Sequence, residues 1–148
     1  MTLLINPIAQ PVQIGLYQDD RRIRSCVIEG QVSQTLLPKL MALMEEVSIE
    51  QIIYVNGPGS YMGIKLTYLM LRTLQIVRGI SIGACSAFAL NGGRPVRAMG
   101  RLYFVKEKET IITQKFDEPV PQAFGLPESL AAVPLEADID PFYQLPAV

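Results

Sequence analysis

Histidine is absent from the 148 residues, and so is tryptophan. Without an imidazole the chain can supply no histidine general base, no Ser-His-Asp triad and no histidine metal ligand. Cysteine is nearly as scarce. Cys26 and Cys85 lie far apart inside apolar segments, a setting for small buried side chains rather than for a metal clip or redox pair. No uninterrupted apolar run approaches the roughly 18 residues of a membrane helix. The opening MTLLINPIAQ lacks the basic stretch and apolar core of a secretory leader. The expectation is a cytoplasmic protein without a membrane span.

What is plentiful is hydrophobicity: 49% of residues are hydrophobic, only 18% are charged, and the mean hydropathy is +0.26. That is greasy for a monomer of 16.4 kDa and hints at a partner. The charge is uneven. Residues 1–114 hold 12 Lys/Arg against 8 Asp/Glu, and residues 115–148 hold 1 against 6. The basic residues are scattered rather than gathered in a stripe, so direct nucleic-acid binding is not expected.

The strand-like runs TLLIN, VQIGLYQ and RRIRSCVIEG are separated by turn formers and predict an antiparallel meander. VSQTLLPKLMALMEEV predicts a helix, with Leu36, Leu40, Leu43 and Val47 on one stripe and Leu37, Met41 and Met44 beside it. QIIYVN, a glycine loop, the helix YMGIKLTYLMLRTLQIV and the strand GISIGAC follow. This order predicts a mixed sheet covered by helices on at least one face. SAFALN reads as a short helix closed by Asn91-Gly92-Gly93, and RLYFVKEKETIITQK as a hairpin turning at Lys106 to Glu109. Six of the eleven prolines fall after residue 116, predicting an irregular tail with a short helix at PESLAAV and with Phe124, Phe142 and Tyr143 as apolar anchors.

The loop VNGPGSYMGIK invites a nucleotide reading and fails both patterns. Five residues separate Gly57 from Gly63 where the P-loop has four, and Met62 stands where the dinucleotide fingerprint needs its third glycine. The simpler reading is structural: Gly57 and Gly59 turn the chain, Pro58 stiffens it, and Ser60 is placed to cap the next helix. On that helix Leu66, Leu69, Met70, Thr73, Leu74 and Val77 form a face suited to the sheet, and Ile64, Tyr68 and Leu71 extend the apolar surface around a second side. One sheet does not bury both sides, so a docking surface is expected.

At these residues the sequence resembles the TsaB family, also called YeaZ. The family motif Gly-Pro-Gly-Ser-Phe-Thr-Gly-Leu-Arg is matched by Gly57, Pro58, Gly59, Ser60 and Gly63, with Tyr61, Ile64 and Lys65 as conservative replacements and Met62 for the threonine. SQTLLPKLMALM resembles the Ser-x-x-Leu-Leu-Pro helix. VRAMGRLYF resembles the Asp-Ala-Arg-x-x-x-x-Tyr segment, with Arg97, Ala98 and Tyr103 retained. The likeness covers roughly residues 1–114. Three departures empty the polar site. Asn6-Pro7-Ile8 replaces Asp-Thr-Ser, Val32 stands where a histidine often begins the first helix, and Val96 replaces the aspartate.

The resemblance implies an α/β fold with an actin-like (ASKHA) N-terminal lobe at residues 1–95. Residues 96–148 would be the remnant of a mostly truncated second lobe. It also implies a non-catalytic scaffold without a cofactor or metal of its own. Such a subunit binds a TsaD-like catalytic subunit, alongside a TsaE-like ATPase, in a complex that attaches threonylcarbamoyl to tRNA adenosine; tRNA is met only through the complex. The expected interface is Leu37, Met41, Met44, Gly63, Tyr68, Leu71 and Arg72, with Gly57, Pro58, Gly59 and Ser60 as a structural loop. A homodimer through the same helices is the neighbouring possibility. The alternative function is a self-associating actin-like ATPase or a peptidase-like enzyme, for which the motif offers neither a metal-holding carboxylate nor a base beside Ser60.

Overall fold

The computed structural model describes residues 1–108 and 110–142. Strands β1 (Thr2–Asn6), β2 (Val12–Gln18) and β3 (Arg21–Ile28) form the meander. Helix α1 (Val32–Glu46) leads to β4 (Gln51–Gly57), and α2 (Tyr61–Arg78) leads to β5 (Ser81–Ser86). The five strands make one sheet in the order β3-β2-β1-β4-β5, antiparallel across the meander and parallel from β1 to β4 to β5. Alternate residues of each strand point to opposite faces. Leu3, Ile5, Ile14, Ile52 and Tyr54 pack toward α1 and α2, whereas Leu4, Tyr17, Ile53 and Val55 pack on the far face. Both faces are buried, which is why β1 and β4 read as unbroken apolar runs.

Past β5 the short helix α3 (Ala87–Leu90) is capped by Ser86, whose oxygen accepts the Phe88 N–H at 3.2 Å. Strands β6 (Val96–Met99), β7 (Leu102–Glu107) and β8 (Thr110–Lys115) form a second, antiparallel sheet. The hairpin β7–β8 forms as expected, but Lys106 and Glu107 remain in β7 and the turn comes at Lys108; Glu109 lies outside the described residues. Strand β6 is an addition to that expectation. It is only four residues long, begins directly after Pro95, and depends on pairing with β7.

The proline-rich tail is irregular over the described residues, as expected. It crosses the far face of the five-stranded sheet. The Gln13 Nε2 donates to the Phe124 carbonyl at 3.2 Å, the Tyr17 hydroxyl to the Pro127 carbonyl at 2.6 Å, and the Arg22 guanidinium to the Leu126 carbonyl at 2.7 Å. Asp20 and Arg22 meet the backbone at Glu128 to Ala131. Val133 enters the far-face core, and Leu135 and Glu136 pair with Cys85 and Ala84 on the free edge of β5. The helix expected at PESLAAV is reduced to a 3-10 turn, Leu130–Ala132, capped by Ser129. Of the three expected anchors, Phe124 and Phe142 are half-buried, and Tyr143 lies outside the described residues.

One buried polar side chain joins the parts. Asn91 is fully buried; its Oδ1 accepts the Ala123 N–H at 2.7 Å and its Nδ2 donates to the carbonyls of Arg94 and Pro95. It thereby ties the end of α3 to the start of β6 and to the tail.

Candidate functional site

Two surfaces compete for attention: the outer side of α1 and α2, and a cleft beside the glycine loop. The loop is built as its residues require. Gly57 and Gly59 have φ of 132° and 156°, a region side-chain-bearing residues rarely adopt. A Cβ on Gly59 would lie 2.9 Å from the Ile8 side chain, and one on Gly57 would lie 2.7 Å from the Cβ of Phe142. Pro58 is buried between them. Ser60 occupies the N-cap position of α2, but its side chain accepts no cap hydrogen bond, which corrects the expected capping. It is exposed instead.

The cleft has a volume of about 790 Å³ and lies between the β1–β2 turn, the start of α2 and strand β6. Gln13, Ser60, Arg97 and Gln122 are polar lining groups, while Ile8, Val96, Phe104, Phe124 and Phe142 make its walls apolar. Among the described residues no carboxylate lines it, and Arg97 is its one cation. Asn6 is fully buried, its Oδ1 turned to the Ile8 N–H at 3.2 Å and its Nδ2 without a partner. A magnesium nucleotide needs carboxylate or water-bridging ligands for the ion, so this lining does not fit one.

The helical surface obeys a different phase from the one expected. The residues of α2 that enter the core are Ile64, Thr67, Leu71 and Leu74. Leu71 is fully buried against the sheet and is therefore not available to a partner. Its place in the expected interface is withdrawn, because the sheet-facing arc of α2 runs through 64, 67, 71 and 74 rather than 66, 69, 73 and 77. The exposed apolar stripe is Met62, Leu69 and Ile76, at 64%, 50% and 83% exposure, with half-buried Leu66 and exposed Val77 beside them. Sequence periodicity contained the signal, since 62, 66, 69, 73 and 76 recur at helical spacing. It could not say which apolar stripe the sheet would take.

The two flanks of α2 also differ. Gly63 turns toward the Pro7 carbonyl at the end of β1, 3.4 Å from where a Cβ would stand; the backbone it lets approach is its own. On the other flank Tyr68 donates to the Asp140 carboxylate at 3.0 Å, and its ring meets the Tyr54 ring at 6.1 Å. Arg72 lies 5.9 Å over the Tyr68 ring and donates to Gln75. Tyr68 thus faces the tail, with Arg72 stacked over its ring. Partial burial and the Asp140 carboxylate hold the Tyr68 hydroxyl above the usual tyrosine value. On α1, which packs beside α2, Leu36, Leu40 and Leu43 are buried, Leu37 is exposed, and Met41 and Met44 are half-buried at the core's margin. No helix among the described residues is long and apolar enough to cross a membrane.

No protein-family model matches the chain, and no curated protein sequence matches it. Solved structures do. A Pseudomonas aeruginosa crystal structure described as an uncharacterized protein with similarity to peptidase YeaZ superposes at a TM-score of 0.61 with 16% identity, over 81% of this chain and 69% of that one. YeaZ from Pseudomonas aeruginosa superposes at 0.58 with 15% identity, over 93% of this chain. The chain spans 64% of the length of that YeaZ. With a mixed sheet, two helices on one face and a glycine loop opening the second helix, this chain has the fold of YeaZ.

Proposed function

We propose that the chain is a cytoplasmic, non-catalytic scaffold of the TsaB kind, docking on a TsaD-like catalytic subunit and, through it, joining a TsaE-like ATPase in tRNA threonylcarbamoyladenosine modification. The observation that carries the reading is the apolar stripe of α2. A side chain as exposed as Ile76 beside exposed Met62, Leu69 and Val77 leaves a contiguous patch that a lone soluble domain does not ordinarily show. Among the described residues the tail covers the far face of the sheet and the Tyr68 flank of α2 and does not reach the stripe. On α1, exposed Leu37 adds to the apolar surface, with half-buried Met41 and Met44 beside it. Tyr68 and Arg72 lie on the adjoining flank of α2, and an actin-like lobe supplies the platform.

Binding to such a partner would rest on burying these side chains, each contributing on the order of 1.5–3 kcal/mol when fully covered. The test is isothermal calorimetry between this protein and the catalytic subunit. Leu69→Glu with Ile76→Glu is expected to abolish the interaction while circular dichroism stays that of the native fold. Unaltered affinity in the double variant would end the proposal. Light scattering of the protein alone reads the competing occupancy of the same face by a second copy.

A further inference from the structure

Between Pro134 and Phe142 no side chain is fully buried, yet the backbone of this stretch is firmly held. The fully buried Tyr54 donates its hydroxyl to the Ile139 carbonyl, and the nearly buried Asn56 donates Nδ2 to the carbonyls of Asp138 at 3.1 Å and Asp140 at 3.0 Å. The Asn56 carbonyl in turn accepts the Phe142 N–H at 2.7 Å. These contacts read the backbone of an irregular segment that bends at Asp140, where the Asp140 N–H donates to the Asp138 carboxylate at 2.9 Å, and they do not touch its outward side chains. Side chains are read at two places. The Asp140 carboxylate accepts from Tyr68, and the Phe142 ring lies edge-on to Phe104 at 6.5 Å while its Cβ fills the space that the missing side chain of Gly57 leaves.

We propose that Tyr54, Asn56, Gly57, Tyr68 and Phe104 form a recognition groove for a bent, irregular peptide segment with an acidic residue two positions before an aromatic one. Residues 138–142 are its resident, displaceable occupant. The receptor donors are built into the sheet, so simple departure of the tail would strand the Tyr54 hydroxyl and the Asn56 amide without acceptors, an unfavourable state for buried groups. A second segment of the same bent course replaces those bonds one for one, which makes exchange the route of release. Phe142 is also a wall of the cleft, so the exchange decides whether that wall is this chain's own or a partner's. The groove lies on the Tyr68 flank of α2, away from the apolar stripe, and its occupancy does not depend on the scaffold reading.

The test uses the full-length chain and a fluorescein-labelled peptide spanning residues 136–142, read by anisotropy. A tethered occupant acts at an effective concentration near millimolar, so the wild-type protein is expected to bind the free peptide weakly. The variant Asp140→Ala with Phe142→Ala loses the side-chain contacts that hold the resident segment, competes less, and should bind the peptide at least about tenfold more tightly. Adding Tyr68→Phe to that variant should weaken binding several-fold, and a peptide carrying the two alanines should not compete. Absence of saturable binding to the variant, or equal affinity for both proteins with no effect of Tyr68→Phe, overturns the proposal. Should the variant fail to fold, hydrogen exchange of the wild type decides it. A Phe142 amide exchanging well before the β4 amides supports a displaceable occupant, and one exchanging with them refutes it.

Discussion

The two faces of the five-stranded sheet are closed in opposite ways. The near face is closed by α1 and α2, whose inner arcs are apolar and whose outer arcs stay apolar as well. The far face is closed by α3, the second sheet and an irregular tail that buries Val133 in the core, packs Phe124, Leu126 and Leu130 against it and is tied down by hydrogen bonds. A helix satisfies its own backbone, so it needs only apolar contact to dock. An extended chain must find partners for its N–H and C=O groups, so its receptor has to carry polar side chains in buried places. Tyr17, Asn56 and Asn91 are those side chains on this protein.

The largest way to break the comparison is in the near-face core. Leu71→Ala removes a fully buried side chain and is expected to destabilise the fold by about 3 kcal/mol, seen as a lower denaturation midpoint. If Leu71 were instead a partner contact, its stability would barely change. On the far face, Asn91→Ala strands the Ala123 N–H and two carbonyls and should cost about 2 kcal/mol. Protease sensitivity should then rise at the tail before the helices.

A smaller effect is expected at Tyr17, whose hydroxyl is pushed up to about 12 by burial, against the opposing pull of Arg22. Since the folded value lies above the unfolded one near 10, its contribution is complete below about pH 10 and disappears as pH climbs toward 12. Tyr17→Phe should cost about 1 kcal/mol at neutral pH and flatten the alkaline limb of the stability profile. Smallest of all, Leu69→Ala is expected to alter fold stability by no more than about 0.5 kcal/mol, because half of that side chain is already in water. A loss as large as that of Leu71→Ala would erase the distinction between the two arcs.

The meander, both long helices, the parallel strands and the β7–β8 hairpin were legible from period, turn residues and glycine placement. The loop glycines were legible too, because their conformations allow few other residues. The phase of α2 was not, since apolar residues surround most of the helix and only contact with the sheet selects 64, 67, 71 and 74. Strand β6 was missed because four residues after a proline carry almost no periodic signal. The tail's course was equally hidden: the bonds that place it join Gln13 to Phe124, Tyr17 to Pro127 and Asn56 to Asp138, far apart in the chain.

By itself the sequence determined which segments could become helix or strand and, by lacking histidine, that no imidazole of this chain could serve as base or ligand. Those properties are local, set by side-chain type and spacing over a few residues. The tertiary structure alone decided that Leu71 belongs to the core and Ile76 to the surface, and that an acidic, proline-rich end would be laced across the sheet. Both outcomes turn on which distant groups meet, and burial and hydrogen-bond satisfaction are settled only between elements that have already come together.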